Sequence, residues 1–177
     1  MVKLLLAGTG LIGHRHMRHI LEHPDLELVG IVDPIITDEK IEGVKTYSSL
    51  SDVNKLADGI ILATPTDTHA DLTIQSLEMG MHVLVEKPVA ASLLEADKMI
   101  RASEKTGLSI LVGHHRRHHP LVNETINILN SGKIGRPVAA SLMWLMRKQD
   151  EYFDVDWRKG IDGGPVKQNL IHDVDTL

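Results

Sequence analysis

KLLLAGTGLIG, residues 3–13, constrains this chain more than any other stretch. A short apolar run stops at Gly8, and Gly10 and Gly13 complete a G-x-G-x-x-G spacing. Ile12, Met17, Ile20 and Leu21 then recur near the helical period, and Pro24 closes the segment. The pattern reads as strand, tight turn, helix. Each glycine has its own reason. Gly8 permits the turn, Gly10 lets a pyrophosphate approach the backbone, and Gly13 brings helix and strand close together. The helix start offers free N–H groups and partial positive charge to the phosphates. A plain glycine turn in a doubly wound fold produces the same spacing, so the motif alone is weak. Asp33 strengthens it: it ends the next apolar run, LELVGIVD, where an acid would take an adenosine ribose. Together they imply a dinucleotide. The carboxylate repels a 2′-phosphate, and DPIIT sets no Arg beside it, so NAD(H) is expected over NADP(H). The competing reading of Asp33 is a cap on the turn that follows.

The first part of the chain alternates strand and helix. Strands are expected at 3–8, 26–33, 44–47, 59–65, 82–87 and 109–114. Helices are expected at 11–23, from Ser51 as N-cap through Leu56, at 69–80 with Gly80 as stop, and from Ser92 to Gly107. Apolar strands alternating with helices argue for a parallel sheet covered on both faces. After residue 119 the pattern changes. A helix at 120–132 precedes an apolar stretch, 135–146, that reads as a longer strand. The closing segment carries Leu170, Ile171, Val174 and Leu177 at helix-like spacing. The expected fold class is α/β. Residues 1–119 form an N-terminal Rossmann-type doubly wound parallel sheet, and 120–177 begin an incomplete α/β substrate or oligomerisation domain.

Composition excludes several partners. No apolar run approaches the ~20 residues of a membrane helix, and the apolar N-terminus is too short for a signal peptide. Cysteine is absent, which removes disulfides and thiolate metal sites, and a cytoplasmic location is expected. A net charge of −5 argues against nucleic acid as the main partner. Histidines cluster at His14, His16 and His19 and at His114, His115, His118 and His119. Arg residues lie within both runs and neither contains a carboxylate, so no metal site is expected. His16 shares a helix face with Ile12 and Ile20 and reads as a packed or capping residue.

HVLVEKPVA, residues 82–90, ends an apolar strand on Glu86, Lys87 and Pro88. A buried ammonium without a partner loses its hydration, so its position needs a cause. In open parallel sheets, ligands bind beyond the carboxyl ends of the strands. Lys87 would then face nicotinamide and substrate, with Glu86 as charge partner, and would relay the proton of a substrate hydroxyl. Pro88 fixes the turn, with its isomer open. The bland reading is a surface salt bridge at a strand end.

Five boxes in order, GTGLIG, ATPTDTHA, VLVEKPVA, VGHHRRHHP and GGPVKQNLIHDVD, resemble the glucose–fructose oxidoreductase / inositol dehydrogenase / MocA family. The resemblance runs over the whole chain. It implies an N-terminal Rossmann domain and a C-terminal α/β domain with a large antiparallel sheet that covers the nicotinamide and binds substrate. It implies NAD(P)-dependent hydride transfer with a sugar, polyol or related cyclic hydroxy compound. By position, it implies that Gly8, Thr9, Gly10, Leu11, Ile12 and Gly13 cradle the pyrophosphate and that Asp33 takes the ribose. Thr64, Pro65 and His69 would line the nicotinamide half, with Glu86 and Lys87 at the nicotinamide ribose and reaction centre. Arg116 would lie toward the substrate, and Trp157 and Arg158 near the carboxamide. His172 matches the catalytic histidine, paired with Lys87 in proton transfer.

Two departures stand out. Many members carry Asp four residues before the catalytic histidine; here it is Gln168, whose amide orients but does not exchange protons at neutral pH. Proton transfer then falls to Lys87 and His172, with Asn169 and Asp173 as neighbours. Members are also longer than this chain. It is expected to be a fragment, a short gene product, or a subunit of a homo-oligomer that replaces the missing domain. By itself it is expected to turn over weakly or not at all. The alternative function is a non-catalytic NAD-binding protein.

Overall fold

A computed structural model describes the chain except residues 37, 55, 56, 155–158, 160–163 and 165. Two compact units divide between Gly113 and His114, whereas the expected boundary lay near 119, past the short helical turn His115–His118.

The first unit is an α/β sheet built from β1 (Val2–Ala7), β2 (Leu26–Val32), β3 (Lys40–Ile41), β4 (Val44–Tyr47), β5 (Gly59–Leu62), β6 (His82–Val85) and β7 (Ile110–Val112). The order is β3-β4-β2-β1-β5-β6-β7, parallel throughout except for β3 against β4. Without β3, this is the doubly wound order whose direction reverses between β1 and β5. The helices are α1 (Leu11–Glu22), α2 (His69–Glu78) and α3 (Leu93–Thr106).

Alternating strand residues supply two cores. Leu5, Ala7, Ile60, Leu62, Val83 and Val85 pack with Leu77 of α2 and Met99 of α3. Leu6, Leu28, Ile31 and Ile61 pack on the opposite face with Met17 and Ile20 of α1. Each buried Leu, Ile, Val or Met side chain among these contributes about 1.5–3 kcal/mol. The sheet therefore cannot slip by one residue without turning both sets around. Local signals set the helix ends. Ser92 Oγ accepts the Glu95 N–H at 3.2 Å, the Glu95 carboxylate accepts the Ala91 N–H at 2.9 Å, and Gly107 ends α3 at φ +70°. A lost N-cap of this kind costs about 1 kcal/mol.

Three expectations change. The helix expected from Ser51 is a single 3-10 turn, Leu50–Asp52, and Ser49 caps it by accepting the Ser51 N–H at 3.3 Å. Of its expected end, Lys55 and Leu56 lie outside the described residues. The sequence reading missed β3, which forms a hairpin with β4 through Glu42 and Gly43, both at positive φ. The third change is in the second unit. Residues 136–149, expected to contain a strand, have no regular secondary structure. Val138, Met143 and Leu145 in that stretch are exposed. A strand is stable through a ladder with a neighbour, and no described residue pairs with this stretch.

The second unit otherwise contains the turn at His115–His118, α4 (Pro120–Asn130), a 3-10 turn at Asp150–Asp154 and α5 (Ile171–Thr176). His119 caps α4 by accepting the Leu121 N–H at 3.2 Å, and Pro120 sits in the first turn, where its missing N–H does no harm. No helix among the described residues is long and apolar enough to cross a membrane.

Candidate functional site

The candidate site of the first unit lies at the carboxyl ends of β1, β5 and β6, three neighbours in the sheet. After β1, Gly8 sits at φ +88°, and a Cβ there would lie 2.5 Å from the Ala63 carbonyl oxygen. At Gly13 a Cβ would lie 2.0 Å from the Gly8 oxygen. Both glycines are required by backbone against backbone. Gly10 differs. Its φ of −63° suits any residue, and a Cβ there would meet nothing within 4 Å. Among the described residues nothing crowds this position, so the glycine leaves open space in front of the helix start. Gly10 is also the N-cap of α1 and supplies no side-chain cap, and the first turn has no acidic residue. An open space over an uncapped helix start fits a diphosphate.

Asp33 follows β2. Its Oδ2 accepts from the Thr9 N–H at 2.9 Å and the Thr9 hydroxyl at 2.6 Å, and Oδ1 accepts the Ile35 N–H at 3.0 Å. Asp33 thus both caps its turn and ties it to the glycine loop. Burial raises its pKa, but the bonds from Thr9 and Ile35 outweigh this and hold the carboxyl below its ordinary value. A carboxylate has about four lone-pair sites. Among the described residues three are used, which leaves one on Oδ1 for a further donor. The group is a charged acceptor and suits a hydroxyl rather than a phosphate.

After β5 come Thr64 and Pro65, and Thr68 Oγ1 donates to Thr64 Oγ1 at 2.7 Å and to the Pro65 oxygen at 2.8 Å. His69 does not line the rim. It is 1% exposed, with Nδ1 2.8 Å from the Pro88 oxygen and Nε2 3.0 Å from the Thr64 oxygen. It therefore bridges the segments that follow β5 and β6. After β6 the Lys87–Pro88 peptide is cis, and Lys87 is half-buried.

Glu86 has a partner that sequence reading missed. His16 Nε2, from α1, lies 2.9 Å from Glu86 Oε1, and Glu86 Oε2 accepts the Lys87 N–H at 3.2 Å. Burial raises the Glu86 pKa, yet the bond to His16, its charge, and the Lys87 N–H and charge together bring it below the ordinary value. His16 is thus a hydrogen-bonding partner across the rim rather than merely a packed or capping residue. The signal was weak: a polar side chain on the same face as Ile12 and Ile20 needs a partner, but nothing in the sequence names one.

In the second unit, His172 is buried on α5, its ring centroid 4.7 Å from that of His115 and 6.3 Å from that of His114. Arg116 donates to Asp173. Arg117 forks onto Asp175 with Nε at 3.0 Å from both oxygens and Nη2 at 2.7 Å from Oδ1. That fork, more than the opposing effect of burial, holds Asp175 below the usual carboxylate range; His114, Arg117 and His172 add to it by charge. Two carboxylates of α5 thus anchor the arginines of the turn. Lys148 Nζ donates to Asn169 at 3.2 Å. Trp157 and Arg158 lie outside the described residues. Among the described residues no three His, Cys, Asp or Glu side chains gather as a metal site would require.

An oxidoreductase family with an NAD-binding Rossmann fold matches residues 2–114. The chain is 26% identical to the rhizopine catabolism protein MocA of Rhizobium meliloti over 99% of its own length and 56% of that protein's. It is 30% identical to a scyllo-inositol 2-dehydrogenase (NAD(+)) of Bacillus subtilis over 77% of its length and 42% of that enzyme's. The fold resembles the crystal structure of a myo-inositol 2-dehydrogenase from Lactobacillus plantarum, with a TM-score of 0.83 at 23% identity, over 99% of this chain and 55% of that one. The chain spans about half the length of the curated relatives it matches.

Proposed function

The chain belongs to the glucose–fructose oxidoreductase / inositol dehydrogenase / MocA family of NAD-binding oxidoreductases, and from that premise we propose that it binds NAD(H) on its sheet rim and serves oxidation or reduction at a carbinol of a sugar, polyol or related cyclic compound. One observation carries the reading. The glycine loop, the Thr64–Pro65 segment and Lys87 follow three adjacent parallel strands on either side of the point where the strand order reverses.

The residues divide the work. Thr9, Leu11 and Ile12 with the three glycines seat the diphosphate at the start of α1. Asp33 holds the adenosine ribose through its remaining lone pair and repels a 2′-phosphate, which favours NAD over NADP. The name of the scyllo-inositol relative, which specifies NAD(+), supports the same choice. Bound nicotinamide supplies the hydride acceptor for the carbinol carbon. Lys87 takes or returns the hydroxyl proton; for the second unit the reading assigns proton transfer to His172 and orientation without proton exchange to the Gln168 amide. Arg116, Trp157 and Arg158 complete the substrate and carboxamide side in this reading.

Fluorescence titration with NADH and NADPH tests the cofactor. NADH is expected to bind more tightly; tighter NADPH would end the NAD assignment, and binding of neither would end the whole reading. NAD reduction with a panel of inositols and sugars then separates catalysis from binding alone.

A further inference from the structure

We infer that His16 and Glu86 form a positioning pair, in which the imidazole of α1 pins the Glu86 carboxylate so that it holds the backbone of the reactive Lys87. The inference rests on the reading of Lys87 as the proton carrier. A carboxylate only accepts, so the 2.9 Å contact is an Nε2–H donation from His16 to Oε1. The other oxygen accepts the Lys87 N–H at 3.2 Å. Both side chains are largely withdrawn from solvent, at 22% and 17% exposure, so neither is free to drift among water partners. Burial alone would favour the neutral carboxyl, but the bonds and charges of His16 and Lys87 hold it ionised. The pair links two parts of the rim: α1 follows the glycine loop, and Glu86 follows β6 beside Lys87.

A third element limits where that carboxylate can go. At Gly113, after β7, a Cβ would lie 2.9 Å from the Glu86 carboxyl carbon and Oε2 and 3.0 Å from Oε1. Gly113 is not among the residues at positive φ, so alanine is conformationally allowed there. What it would strike is the tip of a flexible side chain. Gly113→Ala should therefore displace the carboxylate and leave the backbone in place, from a residue outside the pair.

Acetylation by N-hydroxysuccinimide acetate, mapped by peptide mass spectrometry, reads the setting of Lys87 against exposed Lys45. The wild-type chain, His16→Leu, His16→Gln and Gly113→Ala are compared with and without NADH, each with a melting curve. His16→Leu and Gly113→Ala are expected to change the Lys87-to-Lys45 rate ratio by about threefold or more, the lower range for residues in direct contact. His16→Gln keeps a side-chain donor and is expected to restore the wild-type ratio. A merely structural role would lower the melting temperature and leave the ratio alone. An unchanged ratio in either displacing variant overturns the pair; should His16→Leu not fold, Gly113→Ala decides. The two readings fail separately: if NADH does not slow Lys87 acetylation in the wild type, the cofactor reading falls, whatever the variants do to the ratio.

Discussion

Replacing Gly10 with serine should push stability and cofactor binding in opposite directions. Gly10 is the N-cap of α1, at φ −63° and ψ −173°, which a serine adopts without strain. Its Cβ would have no atom within 4 Å, so no clash follows. The hydroxyl would accept one of the free N–H groups of the first turn. Serine exceeds glycine as an N-cap by a few tenths, about 0.3 kcal/mol. For a chain of this size that is a rise of about 1 °C in melting temperature. The same hydroxyl takes a donor that a diphosphate would use and fills part of its space. Losing one charge-assisted bond costs about 1.5–3 kcal/mol, or about 10- to 150-fold in affinity. Melting curves without ligand and NADH fluorescence titrations measure the two effects. A folded Gly10→Ser variant that binds NADH as tightly as wild type would refute the seating of the diphosphate on α1. A drop of several degrees without ligand would show that the protein itself, not a ligand, requires glycine there.

Gly13→Ala should behave differently, because its Cβ would fall 2.0 Å from a backbone oxygen that has no side-chain freedom to yield. Overpacking of this kind is expected to cost about 3 kcal/mol or more; a urea midpoint equal to wild type would contradict the close approach of α1 to the loop. Acid should reveal the two lowered carboxyls of the first unit. Asp33 and Glu86 titrate below their ordinary 3.8 and 4.5. Their contribution is therefore complete above those ordinary values and is lost as pH falls through the lowered folded ones. Melting temperature should decline as pH drops below about 4.5, and less steeply in an Asp33→Asn/Glu86→Gln variant. Equal slopes in both proteins would mean that neither carboxylate is favoured by the fold.

Much of the site was legible because it depends on neighbours in the chain. The glycine spacing, Asp33 at a strand end and the break at Glu86–Lys87–Pro88 are local facts, and the elements that hold them formed close to where they were expected. Caps were legible where one side chain dominates, as at Ser92, and less so where two compete. In SSLS the hydroxyl of Ser49, not Ser51, accepts the orphan N–H. The apolar run 135–146 misled for another reason. Its composition suits a strand, but a strand exists only with a neighbour, and none is described here.

The sequence by itself determined the order of the longer strands and helices of the first unit, and with it the glycine loop and Asp33, because backbone sterics and short-range hydrogen bonds act between residues close in the chain. Only the tertiary structure decided that His16 reaches Glu86, seventy positions away, and that His69 is buried between the carbonyls of Thr64 and Pro88. Those partners meet because the sheet order brings the ends of β1, β5 and β6 together, and strand order is a property of packing two apolar faces, which no local pattern encodes.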